Sequence, residues 1–236
     1  MAYRAAFGLP RIERMDIQTA LRMAMPPITH RDLAQLKLTS RPFSRPGWIF
    51  EMKYDGFRVL AGNGVSGVRL VTRNGTDLLT RFPEIAQSLK ALPPMVFDGE
   101  LVVLDDKGRP QFDRLRRRFA TTRLMNIVHA AETDPAVLFV FDLLMLRGKD
   151  LRKRPLEARK ELLKKELEGS DRVRYVTHIG EEGERLFAAA EQLGLEGIVA
   201  KPAKSFYYRG RESGWLKIKT AAGLAIDAER RKWNES

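Results

Sequence analysis

The sequence predicts an α+β fold built on antiparallel sheets, and three observations carry that expectation. Runs with apolar residues at every second position mark strands. Turn signals rich in Gly, Asn and Asp join successive runs into hairpins. Segments of helical periodicity are inserted between the hairpins.

The first alternating run is Trp48 to Tyr54, preceded by a breaker segment, Arg41 to Gly47, that contains Pro42, Pro46 and Gly47. It sets Trp48, Phe50, Met52 and Tyr54 on one face and Ile49, Glu51 and Lys53 on the other. Gly62-Asn63-Gly64 reads as a hairpin turn into a strand ending near Arg73, and Asn74-Gly75 as a second tight turn. Phe82, Ile85, Leu89 and Leu92 share a helical face that Pro93 terminates. Met95 to Leu104 is a strand with Asp98 and Glu100 on one side, closed by the turn Asp105-Asp106-Lys107-Gly108. Val137 to Leu144 is an apolar strand. Pro155 fits a helix N1 position, with Leu156, Leu163 and Leu167 on the buried side and Gly169 at the end. A further helix, Glu181 to Leu193, is expected to bury Leu186, Phe187, Ala190 and Leu193 and to stop at Gly194. Strands at Gly197 to Lys201 and Trp215 to Lys219 follow, and Ala221 to Trp233 reads as a short helix.

Composition narrows the classes of function. With 236 residues, 44% of them hydrophobic, the chain can bury one sizeable core or two small ones, which excludes wholesale disorder. The formal net charge of +12 points to an anionic partner. There is no Cys, so disulfides, thiolate chemistry and sulfur-dependent zinc sites are excluded and a reducing compartment fits. His30, His129 and His178 are scattered and read as surface or core filler rather than a metal site. The longest apolar run, Ala136 to Phe141, is far short of the ~20 residues of a membrane-spanning helix. The first thirty residues mix Arg4, Arg11 and Arg14 with Glu13 and Asp16 and have no apolar core, so no signal peptide is expected. The expectation is a soluble cytoplasmic protein without a membrane partner.

Charged pairs recur on single strand faces: Glu51 with Lys53, Asp98 with Glu100, Lys217 with Lys219. One pair would suit the exposed side of a half-covered sheet. Three suggest a shared polar cleft of amines and carboxylates, the chemistry that holds a triphosphate and Mg²⁺. Lys53 ends its strand at Lys53-Tyr54-Asp55-Gly56, followed by Arg58, in a turn that Gly56 permits. Its amine is a candidate nucleophile once unprotonated, a state that nearby cations such as Arg58, Lys217 or Lys219 favour. No Gly-rich loop ending in Lys-Ser/Thr occurs, so phosphates are not held in the Walker manner. The run Arg114, Arg116, Arg117, Arg118 with Arg123 reads as a solvated helix face or a DNA phosphate contact. Tyr207, Tyr208, Arg209 and Arg211 suit either a nucleic-acid grip or a polar loop.

Glu51-Met52-Lys53-Tyr54-Asp55-Gly56-Phe57-Arg58 resembles the first motif of the covalent nucleotidyltransferases: ATP-dependent DNA ligases, RNA ligases and mRNA capping enzymes. Further motifs follow in family order. They are Thr72-Arg73-Asn74-Gly75, Asp98-Gly99-Glu100-Leu101, Val140-Phe141-Asp142-Leu143-Leu144, Glu196-Gly197-Ile198-Val199-Ala200-Lys201 and Trp215-Leu216-Lys217-Ile218-Lys219. The wording is most similar to the ligase module of bacterial end-joining DNA ligases. The resemblance implies the covalent nucleotidyltransferase (ATP-grasp-like) fold, with antiparallel sheets flanked by helices around a nucleotide cleft. It implies that Lys53 attacks the α-phosphate of ATP to form lysyl-AMP, that Glu51 contacts the adenine amino group and that Phe141 stacks on the base. It gives Arg58, Arg73, Lys217 and Lys219 to phosphate and ribose, and Glu100 and Glu196 to ribose or Mg²⁺. AMP would then pass to the 5′-phosphate of nicked or broken double-stranded DNA for strand joining in repair, in a nucleoid-associated protein.

The same resemblance divides the chain into an extension packing on the domain (1–47), the nucleotidyltransferase domain (48–219) and a short tail (220–236). Family ligases continue after the last motif into an OB-fold domain, and the tail is too short for five strands of ~5 residues. A separate OB-fold or end-joining protein is therefore an expected partner. An RNA ligase or capping-type enzyme, or a DNA-binding protein with little turnover, is the alternative reading. NAD as donor is disfavoured, because the family's NAD users carry a cysteine zinc module.

Overall fold

The structure, a computed structural model, describes residues 28–64, 67–210 and 212–234. The charged segment ahead of Ile28 and Arg211 lie outside the described residues. A short 3-10 turn at His30–Asp32 leads to β1 (Lys37–Thr39), β2 (Trp48–Lys53), β3 (Phe57–Gly64) and β4 (Gly67–Thr72). Then come α1 (Pro83–Lys90), β5 (Met95–Val103), α2 (Phe112–Ala120), α3 (Leu124–Thr133), β6 (Ala136–Leu146) and β7 (Lys149–Asp150). Next are α4 (Leu156–Glu166), β8 (Val173–Tyr175), β9 (His178–Gly180), α5 (Gly183–Gln192), β10 (Gly197–Pro202), β11 (Leu216–Lys219) and α6 (Ala221–Asn234).

Two sheets result. One has the order β1-β11-β10-β2-β9, the other β4-β3-β5-β6-β7 with β8 also paired to β6. Pairing is antiparallel except for β1 with β11 and β6 with β8. The alternation of β2 decides how its sheet is covered: Phe50, flanked by Trp48 and Met52, packs with Ala190 of α5, Ile198 and Ile218. Burial of a Phe such as Phe50 stabilises by roughly 1.5–3 kcal/mol. On the opposite face Ile49 joins Leu60, Val96, Met145 and Trp215 in a core shared by the two sheets. Beyond the second sheet, Val59, Phe97, Leu101 and Val140 pack against Phe82, Ile85 and Leu89 around α1, Leu115 of α2 and Leu163 of α4. The layers run helix, sheet, shared core, sheet, helices, and the shared core opens into a cleft. The described residues of the segment before Trp48 pack on this body through β1, an edge strand. No helix among them is long and apolar enough to cross a membrane.

Several expectations need correction. Gly62-Asn63-Gly64 lies inside β3, because its pairing with β4 runs on to Gly64 opposite Gly67. Pro155 is the N-cap of α4 and not its first turn. Leu193 is 60% exposed: α5 ends at Gln192, Gly194 turns left-handed with φ 64°, and Leu195 packs back in its place. Arg118 is no solvated residue. Its guanidinium is buried on the Phe82 ring, pairs with Glu84 and donates to the carbonyls of Arg81 and Asp134 at 3.0 and 3.1 Å. Tyr207 is likewise buried, donating to Asp98 at 2.7 Å and accepting from the Ala34 amide at 3.0 Å, so it grips the core and not nucleic acid.

Candidate active site

The register of the first sheet assembles one wall of the cleft. Glu51 pairs with Val199 and Val199 with Lys217; Lys53 pairs with Gly197 and Gly197 with Lys219. Since alternate residues share a face, Glu51, Lys53, Val199, Lys217 and Lys219 fall on the same side as Lys201. Gly197 keeps the centre of this row open. Its φ is +147°, and a Cβ there would stand 2.1 Å from the Ile218 carbonyl oxygen. Across that gap Lys53 Nζ reaches Glu196 Oε2 at 2.7 Å, and Lys219 Nζ reaches Glu196 Oε1 at 2.8 Å. Lys219 also meets Asp227 of α6 at 2.6 Å.

The second sheet supplies the opposite wall. Arg58 pairs with Glu100 across β3 and β5. Between β5 and β6 the register slips at Asp98/Gly99, so that Asp98 opposes Asp142, Gly99 opposes Val140 and Phe141 is left over. This bulge re-aims Phe141 into the cleft. Glu51, Met52, Lys53, Tyr54, Arg58, Glu100, Phe141, Val199, Lys201 and Trp215 line the cleft together with Leu36 and Val176. Gly56 is required for space rather than for an unusual dihedral: a Cβ there would lie 2.2 Å from the Leu101 carbonyl oxygen.

Charges divide the cleft into two ends. At one, Lys53, Lys217 and Lys219 surround Glu196. Burial, with Lys219 and Lys53 close by, holds the Lys217 ammonium below its usual range; Lys219 is pushed up because Asp227 and Glu196 outweigh its burial. Burial, reinforced by Glu196 and Asp98, raises the Glu100 carboxyl to about 7 although Lys53 and Arg58 oppose it. At the other end Glu51 is buried between two ammoniums, Lys160 of α4 on Oε1 and Lys201 at 2.5 Å from Oε2. Burial alone would push the Glu51 carboxyl up, but these two cations hold it below the usual carboxylate range.

The sequence-derived set therefore converges in large part. Glu51, Lys53, Arg58, Glu100 and Phe141 line the cleft, and Glu196, Lys217 and Lys219 cluster at its Lys53 end. Arg73 does not join them: it is exposed on the turn after β4, where its amide donates to the Arg58 carbonyl at 3.0 Å. Asp98, read as a cleft carboxylate, is wholly buried and accepts both arms of the Arg58 guanidinium at 3.0 and 2.6 Å. Arg58 is thereby aimed along the Phe141 ring, 5.4 Å from its centroid. Lys201 and Trp215 lie within the quoted motifs yet carried no assigned role. Lys160 had no signal at all, since a lysine in a charged helical stretch looks solvated.

Two mainly antiparallel sheets meeting across a cleft, with a lysine cluster at one end and an aromatic wall at the other, define a nucleotidyltransferase-type domain. Residues 30–219 match the family described as the ATP dependent DNA ligase domain, and the chain belongs to that family. It is 38% identical over 179 residues to the multifunctional non-homologous end joining protein LigD of Pseudomonas aeruginosa, covering 74% of this chain and 20% of that protein. It is 34% identical over 190 residues to DNA ligase B of Mycobacterium tuberculosis, covering 78% of this chain and 37% of the relative. The chain thus spans between a fifth and little more than a third of these relatives. Among solved structures, mycobacterial DNA ligase D complexed with ATP and MES superposes with a TM-score of 0.65 at 28% identity, covering 80% of this chain and 60% of that one. The ligase domain of M. tuberculosis LigD gives 0.63 at 29% identity, covering 79% and 58%.

Proposed function

We propose that this chain is the adenylation unit of an ATP-dependent DNA ligase, with residues 48–219 forming the nucleotidyltransferase domain, 1–47 an extension packed on it and 220–236 a short tail. The observation that carries the reading is the convergence of Lys53 with Lys217, Lys219 and Glu196 at one end of a cleft whose other end offers Glu51 and Phe141. In this reading the base lies against Phe141 with its amino group donating to Glu51, and the phosphates meet the lysines. The unprotonated Lys53 amine attacks the α-phosphorus of ATP; a P–N bond forms as the nitrogen releases a proton to solvent, the P–O bond to pyrophosphate breaks, and lysyl-AMP results. AMP then passes to the 5′-phosphate of a DNA nick, and the 3′-hydroxyl displaces it to join the strands. Lys217 and Lys219 stabilise charge developing on phosphate oxygens. Arg58, fixed by Asp98, serves the ribose or phosphate, while Arg73 needs the turn after β4 to shift before it could reach them.

The residues present fit a magnesium ion. Glu100 is a carboxyl short of cationic compensation and lies near Glu196, and one or two carboxylates completed by phosphate and water oxygens are the donor set Mg²⁺ takes. Glu100 and Glu196 would hold it, and it would supply charge neutralisation for the phosphates. The relatives' names support DNA as the second substrate, and the net charge of +12 suits a polyanion. The test is incubation with α-labelled ATP and Mg²⁺ followed by a denaturing gel and peptide mapping. A covalent adduct on Lys53 is expected, lost in Lys53→Arg; full labelling of that variant would overturn the mechanism.

A further inference from the structure

Lys160 is an unusual residue for a helix–sheet seam. It is fully buried on α4, and its ammonium donates to Glu51 Oε1, to the Val176 carbonyl at 3.0 Å and to the Phe141 carbonyl at 3.5 Å. It also stands 4.6 Å from the centroid of the Tyr175 ring. The second oxygen of Glu51 is taken by Lys201, whose ammonium lies 4.2 Å from the Trp215 ring and 4.5 Å from the Phe141 ring. One cation would balance the Glu51 carboxylate. Burying a second is costly, and an apolar side chain of similar length would fill the seam without that cost.

The surplus has a chemical consequence. A carboxylate with an ammonium against each oxygen stays ionised, and an ionised carboxylate has acceptor sites only. A protonated carboxyl would also donate. Glu51 so held faces the cleft as an acceptor: it matches a 6-amino group, while an O6 at the same place sets lone pair against lone pair and the neighbouring N1–H of a 6-oxo base can donate to it only if the base shifts. Lys160 reaches it from a different element than the strands forming the cleft wall, and so fixes the carboxylate from behind.

We propose that Lys160 is a positioning residue that sets base selectivity: by holding Glu51 as a fixed, ionised acceptor it makes the cleft take 6-amino purine nucleoside triphosphates and refuse 6-oxo ones. This rests on the reading of the cleft as a nucleotide site. A site built for a hydrogen bond rejects the mismatched partner strongly, because the buried group is left unsatisfied.

The experiment compares ATP with inosine triphosphate, which carries O6 in place of the 6-amino group and a proton on N1, in covalent labelling of the full chain. The kcat/KM ratio of the two nucleotides is measured for the wild type, Lys160→Met, Lys160→Arg, Glu51→Gln and the double variant Glu51→Gln with Lys160→Met. Lys160→Met is expected to lower the ATP preference at least tenfold, chiefly through KM for ATP, and Lys160→Arg to restore most of it. In the Glu51→Gln background the Lys160 change is expected to leave the ratio unaltered. A purely structural role slows both nucleotides equally; an unchanged ratio in Lys160→Met, with labelling by ATP retained, overturns the assignment and leaves the ligase reading standing. Should Lys160→Met not fold, Lys160→Gln removes the charge while keeping a shorter hydrogen-bonding side chain, and is judged by the same ratio. If the wild type is labelled by neither nucleotide and binds neither, the nucleotide-site reading itself falls, and the role of Lys160 with it.

Discussion

The Lys53 ammonium donates to the Glu196 carboxylate at 2.7 Å across 143 residues of sequence, and the Lys53 side chain remains 21% exposed while that of Glu196 is 3% exposed. The amine is thus anchored but reachable from the cleft. Glu196 orients it and, through its other oxygen, holds Lys219 in the same row. Glu196→Gln keeps the shape and removes the charge that gathers these two lysines. Labelling by ATP is expected to fall at least tenfold in single turnover with saturating nucleotide and Mg²⁺, and an undiminished rate would take Glu196 out of the site.

Glu100 gives a pH signature. Its carboxyl is held at about 7 in the folded protein, by burial first, against an ordinary value of 4.5. Between these values the folded state keeps a proton that the unfolded chain has lost. The stability this group contributes is therefore complete below about pH 4.5 and disappears as pH rises through 7. In a chelating buffer Glu100→Gln is expected to be more stable than wild type at pH 8 by about 1–2 kcal/mol, after allowance for solvent screening, and to match it near pH 4.5. Mg²⁺ should raise the melting temperature of the wild type at pH 8 more than that of the variant. Equal melting shifts at both pH values would contradict this account.

Gly197→Ala tests the gap in the lysine row. A methyl group would meet the Ile218 carbonyl oxygen at 2.1 Å at a φ that side chains rarely adopt. Strain at such a position costs on the order of 1–3 kcal/mol. Pushing β10 from β11 also separates Lys53 and Lys219, so labelling should drop even at temperatures where the variant stays folded. Circular dichroism and labelling on the same sample decide the point; a stable variant with wild-type labelling would show the gap to be dispensable.

Asp142 and Arg159 form a fully buried bidentate pair at 2.7 Å on both arms, tying α4 to β6, and Arg159 also donates to the Ser205 carbonyl at 3.1 Å. Asp142→Ala leaves that guanidinium buried without its carboxylate and should cost about 3–5 kcal/mol. Glu182→Ala, which breaks the exposed pair with Arg185, should cost no more than about 1 kcal/mol. Urea melts of both variants compare the two directly, and comparable losses would contradict the assignment.

DNA affinity should fall steeply with salt. Contacts made mainly by Lys and Arg to phosphate release counterions and carry little base specificity. Between about 50 and 200 mM salt a loss of at least roughly tenfold is expected in binding to a nicked duplex. A flat dependence would argue against phosphate-dominated binding.

The sequence by itself determined most of the strands, several helices and the side of β2 on which Glu51 and Lys53 stand, because alternation and turn chemistry are local. The order of motifs also determined which residues to bring together, and the register of β2, β10 and β11 does align Lys53 with Lys219 through Gly197. Tertiary structure alone decided the rest. The bulge that frees Phe141 arises from the mismatch between β5 and β6, which neither strand encodes separately. Arg118, Arg159, Lys160 and Tyr207 looked like solvent-facing residues or passed unremarked in sequence. They are buried because carboxylates and carbonyls remote in the chain receive them, and a polar group enters a protein interior only where such partners are already in place.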